Sequence, residues 1–177
     1  MHHHSWELTH HSGELKFAGK PEIDSCRMMG DAISWDGWPA CGEIDIMETM
    51  NAEEGCFGRL HWTDRNGRAT QSENFQKIDL ASFHIYSVVW TPSMIRWFVD
   101  DIQYHYIGAC PQLFIPLPHS SSPFVDIRHG KNGTSEFQMS FFILLNLAIG
   151  STRTTGNLVD FNAFPAHMII DYVRVYQ

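Results

Sequence analysis

Three carboxylates crowd one short stretch of this chain, Glu43, Asp45 and Glu48 within Gly37-Trp38-Pro39-Ala40-Cys41-Gly42-Glu43-Ile44-Asp45-Ile46-Met47-Glu48. Acids gathered in this way can divide one reaction between a nucleophile and a proton donor. They can instead hold a hard cation such as Ca²⁺ or Mg²⁺ through oxygen, or simply decorate a solvated strand face. Ile44, Ile46 and Met47 are set among the acids, with Gly42 before and Asn51-Ala52 after, which predicts a β-strand over Glu43–Glu48. In strict two-residue alternation Glu43 and Asp45 share a face and Glu48 points the other way. All three meet one ligand only if a β-bulge near Ile46-Met47 absorbs a residue. A regular strand rises roughly 3.3 Å per residue, which sets the backbones of Glu43 and Glu48 more than about 12 Å apart, so their long side chains must lean together. Glycosidases that retain configuration need carboxyl groups about 5–5.5 Å apart, a span two converging Glu side chains reach.

The elements that must position this strand follow it in the chain. Phe57-Gly58-Arg59-Leu60-His61-Trp62 alternates as a strand, and Thr63–Arg68 reads as a polar surface loop. Between Ser82 and Ile107 three strands succeed one another, Phe83–Trp90, Met94–Val99 and Ile102–Tyr106, joined as hairpins through Thr91-Pro92-Ser93 and Asp100-Asp101. Phe137–Gly150 reads as a core strand and Met168–Gln177 as a final one. Gly108–Gly133, rich in Pro, Ser and Gly, is a long connection that either packs on a sheet face or else walls a cleft or covers an open sheet edge. The reading from Gly13 to Gly30 is looser, with a short strand near Glu14–Phe17 and a turn at Gly19-Lys20-Pro21. Residues 1–12, with His2, His3, His4, His10 and His11, read as a leader outside the fold, and residues 13–177 as a single domain.

In full, W-P-A-C-G-E-I-D-I-M-E resembles the active-site strand of glycoside hydrolase family 16, its laminarinase-like branch in particular. The resemblance extends to F-H-I-Y-S-V-V-W-T-P-S-M-I-R-W-F-V-D, to F-F-I-L-L-N-L-A-I-G and to the terminal D-Y-V-R-V-Y. It implies an all-β, jelly-roll (concanavalin-like) sandwich of two antiparallel sheets, here trimmed at its N-terminus, with Trp90 and Trp97 in the core. The family's tryptophan-rich W-P-A-F-W-M segment is replaced by Ile23-Asp24-Ser25-Cys26-Arg27-Met28, and the tryptophan after its G-G-N is not found in Ser151-Thr152-Arg153. Sugar-stacking platforms are lost with them. The implied activity is endo-hydrolysis of β-1,3-glucan with retention of configuration. Glu43 is then the nucleophile, Glu48 the acid and base, and Asp45 the group that orients Glu43, while Trp38, His61, Trp62 and Asn146 position sugar rings. Read without the family, His61 is as well a hydrogen-bonded structural histidine, Trp62 a core aromatic and Asn146 a buried, satisfied amide. Asp171 matches an aspartate that in the family helps bind a structural Ca²⁺; no other cofactor is required.

Bulk properties bound the rest. A chain of 177 residues, 44% hydrophobic and 18% charged, buries one ordinary core, and a formal charge of −8 argues against nucleic acid or an anionic membrane as partner. A neutral polysaccharide fits. The missing strands leave sheet edges that a second copy of the chain would cover. Cys26, Cys41, Cys56 and Cys110 lack the Cys-x-x-Cys spacing of zinc or thioredoxin-like sites and allow three full disulfide pairings. The resemblance implies an extracellular protein, to which Asn132-Gly133-Thr134, an N-glycosylation pattern, adds weak support. The chain itself shows no signal-peptide core. A carbohydrate-binding or assembly protein derived from such a hydrolase, and a hydrolase of mixed-linkage glucan, agarose or carrageenan, are the competing expectations.

Overall fold

A computed structural model describes residues 4–11, 22–50, 54–64, 66–91, 94–108, 136–149 and 167–176. Strands dominate, as the alternating segments require. They are β1 (His4–His11), β2 (Glu22–Gly30), β3 (Glu43–Met50), β4 (Gly55–Thr63), β5 (Ala69–Lys77), β6 (Phe83–Thr91), β7 (Met94–Val99), β8 (Ile102–Gly108), β9 (Phe141–Ile149) and β10 (Ile169–Tyr176). Two five-stranded sheets form, in the orders β10-β1-β6-β7-β8 and β5-β4-β3-β2-β9. All pairings are antiparallel, so the expected sandwich is what the chain builds.

Between the sheets lies one core. The second sheet contributes Met28, Ile44, Ile46, Met47 and Leu60, and the first contributes Tyr86, Val88, Trp90, Ile95, Trp97, Val99, Tyr104 and Ile107. Trp90 and Trp97 are both buried, as expected. Each such side chain contributes roughly 1.5–3 kcal/mol on burial. Both tryptophans also satisfy their indole N–H, Trp90 by donating to Phe137 O at 3.0 Å and Trp97 to Asp45 O at 2.8 Å.

Three sequence expectations need correction. His4–His11, read as a leader, is strand β1, lying between β6 and β10 with Ser5 opposite both Val89 and Tyr176. Ser5-Trp6-Glu7-Leu8-Thr9 alternates polar and apolar residues, and that alternation, hidden under a tag-like histidine content, suits a strand flanked on both sides. The loose reading of the 13–30 region missed β2, and Ala69–Lys77 was given no strand at all although it forms β5. The strand expected near Glu14–Phe17, the turn at Gly19-Lys20-Pro21, Cys110, Ser151-Thr152-Arg153, the Asn132-Gly133-Thr134 pattern and all but the first residue of the Gly108–Gly133 connection lie outside the described residues. Cys26, Cys41 and Cys56 are buried free thiols. Among the described strands β5, β8, β9 and β10 are the sheet edges, and Leu145 on β9 and Val173 and Val175 on β10 are exposed.

His105 makes one testable demand on this core. It is fully buried against Trp97, ring centroids 4.6 Å apart, and neither ring nitrogen has a hydrogen-bond partner among the described residues. Burial pushes it down to about 4 from an ordinary value of 6.5. The unfolded chain therefore binds the extra proton first, and stability is lost as pH falls from about 6.5 towards 4. Between pH 7 and 4.5 the wild type should lose about 2 kcal/mol more than His105→Phe, which keeps a ring against Trp97 but cannot titrate. Urea unfolding at the two pH values checks this, and equal losses would remove His105 from the account.

Candidate active site

The bulge that the acid spacing requires is present. Asp45 pairs with Arg59 and Glu48 with Phe57, while on the other side Asp45 pairs with Arg27 and Met47 with Cys26, so β3 carries one residue more than either neighbour. Ile46 and Met47 are consecutive and both belong to the core between the sheets, which regular alternation does not allow. Past them the alternation is reset. Glu48 returns to the face of Glu43 and Asp45, the face turned away from the other sheet.

Cross-strand register then lays out that face in three rows. Met29, Glu43, His61 and Gln71 form one; Leu144, Arg27, Asp45, Arg59 and Glu73 the next; and Asn146, Ser25, Glu48, Phe57 and Phe75 the third. Side chains opposite one another in a ladder share a face, so each row is a line of neighbours.

The approach to Glu43 is built by the residues before it. A 3-10 turn, Asp31–Ser34, leaves β2, and the chain returns through Gly37-Trp38-Pro39-Ala40-Cys41-Gly42 with a cis Trp38-Pro39 bond. Backbone bonds from Gly30 N to Gly42 O at 3.0 Å and from Cys41 N to Gly37 O at 2.9 Å close the loop. Gly30 has to be glycine, because a Cβ there would sit 1.9 Å from the carbonyl oxygen of Cys41. The loop delivers Trp38, whose Nε1 donates to Glu43 Oε2 at 2.5 Å and whose ring lies 5.7 Å from that of His61.

Glu43 is 4% exposed and Asp45 2%. With Trp38 on Oε2, the other oxygen of Glu43 has no hydrogen-bond partner among the described residues, although Arg27 Nη1 lies 3.0 Å from it as an ion pair without hydrogen-bond alignment. One oxygen thus accepts the Trp38 N–H and the other faces the Arg27 guanidinium. Asp45 Oδ2 meets His61 Nε2 at 3.2 Å. Burial pushes the Asp45 carboxyl up to about 6, against the pull of the His61 hydrogen bond and with the negative charges of Glu43 and Glu48 adding to the rise. Burial pulls His61 down, but the hydrogen bond and charge of Asp45, with the charges of Glu43 and Glu48, outweigh it and leave His61 raised. Both shifts favour the proton-bound forms, so the Asp45–His61 pair, set beside the two glutamates, holds a proton more firmly than the free groups would.

Glu48 is held differently. Arg59 donates from Nη1 to Glu48 Oε2 and from Nε to Glu73 Oε2, the latter at 2.7 Å, and its guanidinium lies 4.3 Å from the centre of the Phe57 ring. Burial pulls Arg59 down, and the neighbouring charges and hydrogen bonds of Glu48 and Glu73 more than reverse it. Asn146 reaches the same row through Ser25, whose hydroxyl donates to Asn146 Oδ1 at 2.8 Å.

The structure thus brings Glu43, Asp45, Glu48, Trp38, His61 and Asn146 to one face. It does not bring Trp62. Adjacent strand residues point to opposite faces, so with His61 beside Asp45, Trp62 packs against the core. Sequence reasoning missed Arg59, Glu73, Ser25 and Phe57 as members of the site and saw Arg27 only as the loss of an aromatic. The usable signal was parity, since Arg59 and Phe57 stand two and four residues before His61 on the same strand.

Among the described residues the one group of three or more metal-ligating side chains is Glu43, Asp45 and His61, with ligand atoms within 4.8 Å of one another. The fit to a cation is poor, because the Arg27 guanidinium and the Trp38 N–H already face Glu43. Asp171 is exposed on edge strand β10 and belongs to no such group.

Comparison with known proteins converges on one family. Residues 25–122 match the model of glycosyl hydrolases family 16. The chain is 36% identical over 151 residues to the clotting factor G alpha subunit of Tachypleus tridentatus, covering 85% of this chain and 20% of the relative. It is 35% identical over 144 residues to a β-glucanase of Rhodothermus marinus, covering 79% and 46%. This chain thus spans less than half the length of each. The solved laminarinase of Rhodothermus marinus superposes with a TM-score of 0.73 at 27% identity, over 99% of this chain and 65% of that one. The family match spans β3 with Glu43, Asp45 and Glu48, β4 with Arg59 and His61, and both buried tryptophans, and it covers more than half of the sequence, so the chain belongs to glycosyl hydrolase family 16.

Proposed function

We propose that this chain is a retaining endo-glycoside hydrolase acting on β-1,3-glucan of the laminarin type. The observation that carries the reading is the bulge in β3, which sets two glutamates five residues apart on one face with Asp45 between them. In the first step Glu43, through the oxygen that Trp38 leaves free, attacks the anomeric carbon, while Glu48 passes its proton to the departing glycosidic oxygen. The C–O bond of the glycan breaks as the ester to Glu43 forms. Water then enters, Glu48 takes its proton, and attack at the same carbon releases Glu43 with configuration retained. Asp45 and His61 hold the nucleophile's surroundings and its proton balance. Trp38, exposed at the mouth of the site, offers a ring face for stacking on a sugar, and Asn146 an amide for its hydroxyls. A polymer substrate of this kind is met outside the cell, which supports an extracellular setting.

Reducing-end release from laminarin, with lichenan, agarose and carrageenan in parallel, tests the reading. Release from laminarin above the others supports it, release from another polymer renames the substrate, and none from any removes the hydrolase reading. A second reading, glycan binding without hydrolysis, is favoured by Arg27 and Ser25 standing where the family carries its tryptophan-rich segment. Retention on immobilised laminarin without reducing ends would establish it.

A further inference from the structure

The bulge that makes the site has a support that no active-site residue provides. Because Asp45 opposes Arg59 and Glu48 opposes Phe57, Ile46 and Met47 together face the single residue Gly58. A Cβ at Gly58 would lie 2.6 Å from both Trp97 Cδ1 and the Tyr104 hydroxyl. The glycine is therefore the opening through which two side chains of the other sheet reach the bulge.

Trp97 Nε1 donates to the carbonyl of Asp45 at 2.8 Å, and the Tyr104 hydroxyl approaches the carbonyl of Ile46 at 3.5 Å. Both rings are buried. Tyr104 stands at a bulge of its own, since Trp97 pairs with His105 and Phe98 with Gln103, which leaves Tyr104 as the extra residue of β8. That second bulge is fastened in turn, because Asn74 Nδ2 on β5 donates to the Tyr104 carbonyl at 2.6 Å. A bulge disturbs the local ladder, and its buried carbonyls need partners that the neighbouring strands do not supply in regular register.

We propose that Trp97 and Tyr104 are positioning residues for the carboxylates: from the opposite sheet they hold the carbonyls of Asp45 and Ile46, and so keep the bulge that sets Glu48 on the face of Glu43 and Asp45. The catalytic part of this rests on the reading of Glu43 and Glu48 as a hydrolytic pair; the structural part does not. Loosening the bulge displaces Glu48 relative to the bond it must protonate, and misplacement by about 1 Å costs on the order of a hundredfold in rate without altering how sugar rings are bound.

The test compares Trp97→Phe with Trp90→Phe. Each loses one buried indole N–H bond to a backbone carbonyl, but that of Trp90 goes to Phe137, away from the bulge. In Trp97→Phe, amide hydrogen exchange at Ile46, Met47 and Glu48 should quicken at least about tenfold, and kcat on the polymer that the wild type cuts should fall about 10–100-fold with KM within about twofold. Trp90→Phe should leave both exchange at these amides and kcat within about twofold. Tyr104→Phe, which removes only the hydroxyl, should change exchange in the same direction and decides the matter if Trp97→Phe does not fold. Wild-type protection at Ile46–Glu48 in the folded variants overturns the proposal, as does equal quickening in Trp90→Phe. If the wild type cuts no polymer, the hydrolytic reading fails by itself and the amide exchange alone decides whether the two side chains hold the bulge.

Discussion

Glu43→Gln is expected to lose at least about 10⁴-fold in kcat on the polymer that the wild type cuts, with the folded structure intact. The amide keeps an oxygen to accept the Trp38 N–H and removes only the charge and the attacking oxygen. Folding is expected to tolerate the change because the replacement takes a negative charge out of a buried cluster that already includes Asp45, and Arg27, whose ion pair with Glu43 is lost, has a side chain 34% exposed and so stays in reach of water. Burial of the variant's neighbours is unaltered, so near-ultraviolet circular dichroism should match the wild type. A variant that folds and turns over within about tenfold of wild type would remove Glu43 from the role of nucleophile.

Glu48→Ala should separate the two steps. Without a proton donor an ordinary glycan stalls, with kcat down about 10²–10⁴-fold. A substrate whose leaving group needs no protonation still reacts with Glu43, so a burst of released aglycone should persist and be followed by slow turnover, because no base remains to activate water. The variant also leaves Arg59 with Glu73 as its remaining carboxylate partner, so its stability is worth measuring beside its kinetics. Loss of the burst in folded protein would place the acid and base elsewhere.

The reach of the sequence can be judged from particular residues. The bulge was legible because three acids at spacings of two and three residues cannot share a face of a regular strand, and parity alone demands one extra residue. His61, like Trp62, was placed at the site by family likeness, and the alternation of their strand allows only one of the two on that face. The core claims Trp62 instead. Arg59 and Glu73 were not legible, because their place beside Glu48 follows from the pairing of β4 with β3 and β5, and register between strands is not written in any one of them. Strand β5 was hidden because Thr70-Gln71-Ser72-Glu73-Asn74 carries no apolar alternation, as an edge strand can afford. Strand β1 was hidden by histidines that resemble a tag.

The measurement that bears most directly on the central claim is the intact mass and peptide map of the wild-type chain after exposure to 2-deoxy-2-fluoro-β-laminaribiosyl fluoride. The fluorine at C2 slows both steps, and the good leaving group lets the first one proceed, so a glycosyl-enzyme accumulates if the mechanism is double displacement. Double displacement with Glu43 as nucleophile leaves one added glycosyl unit, carried on Glu43. An adduct on Glu48 or Asp45, or hydrolysis of laminarin with no adduct at all, would contradict it.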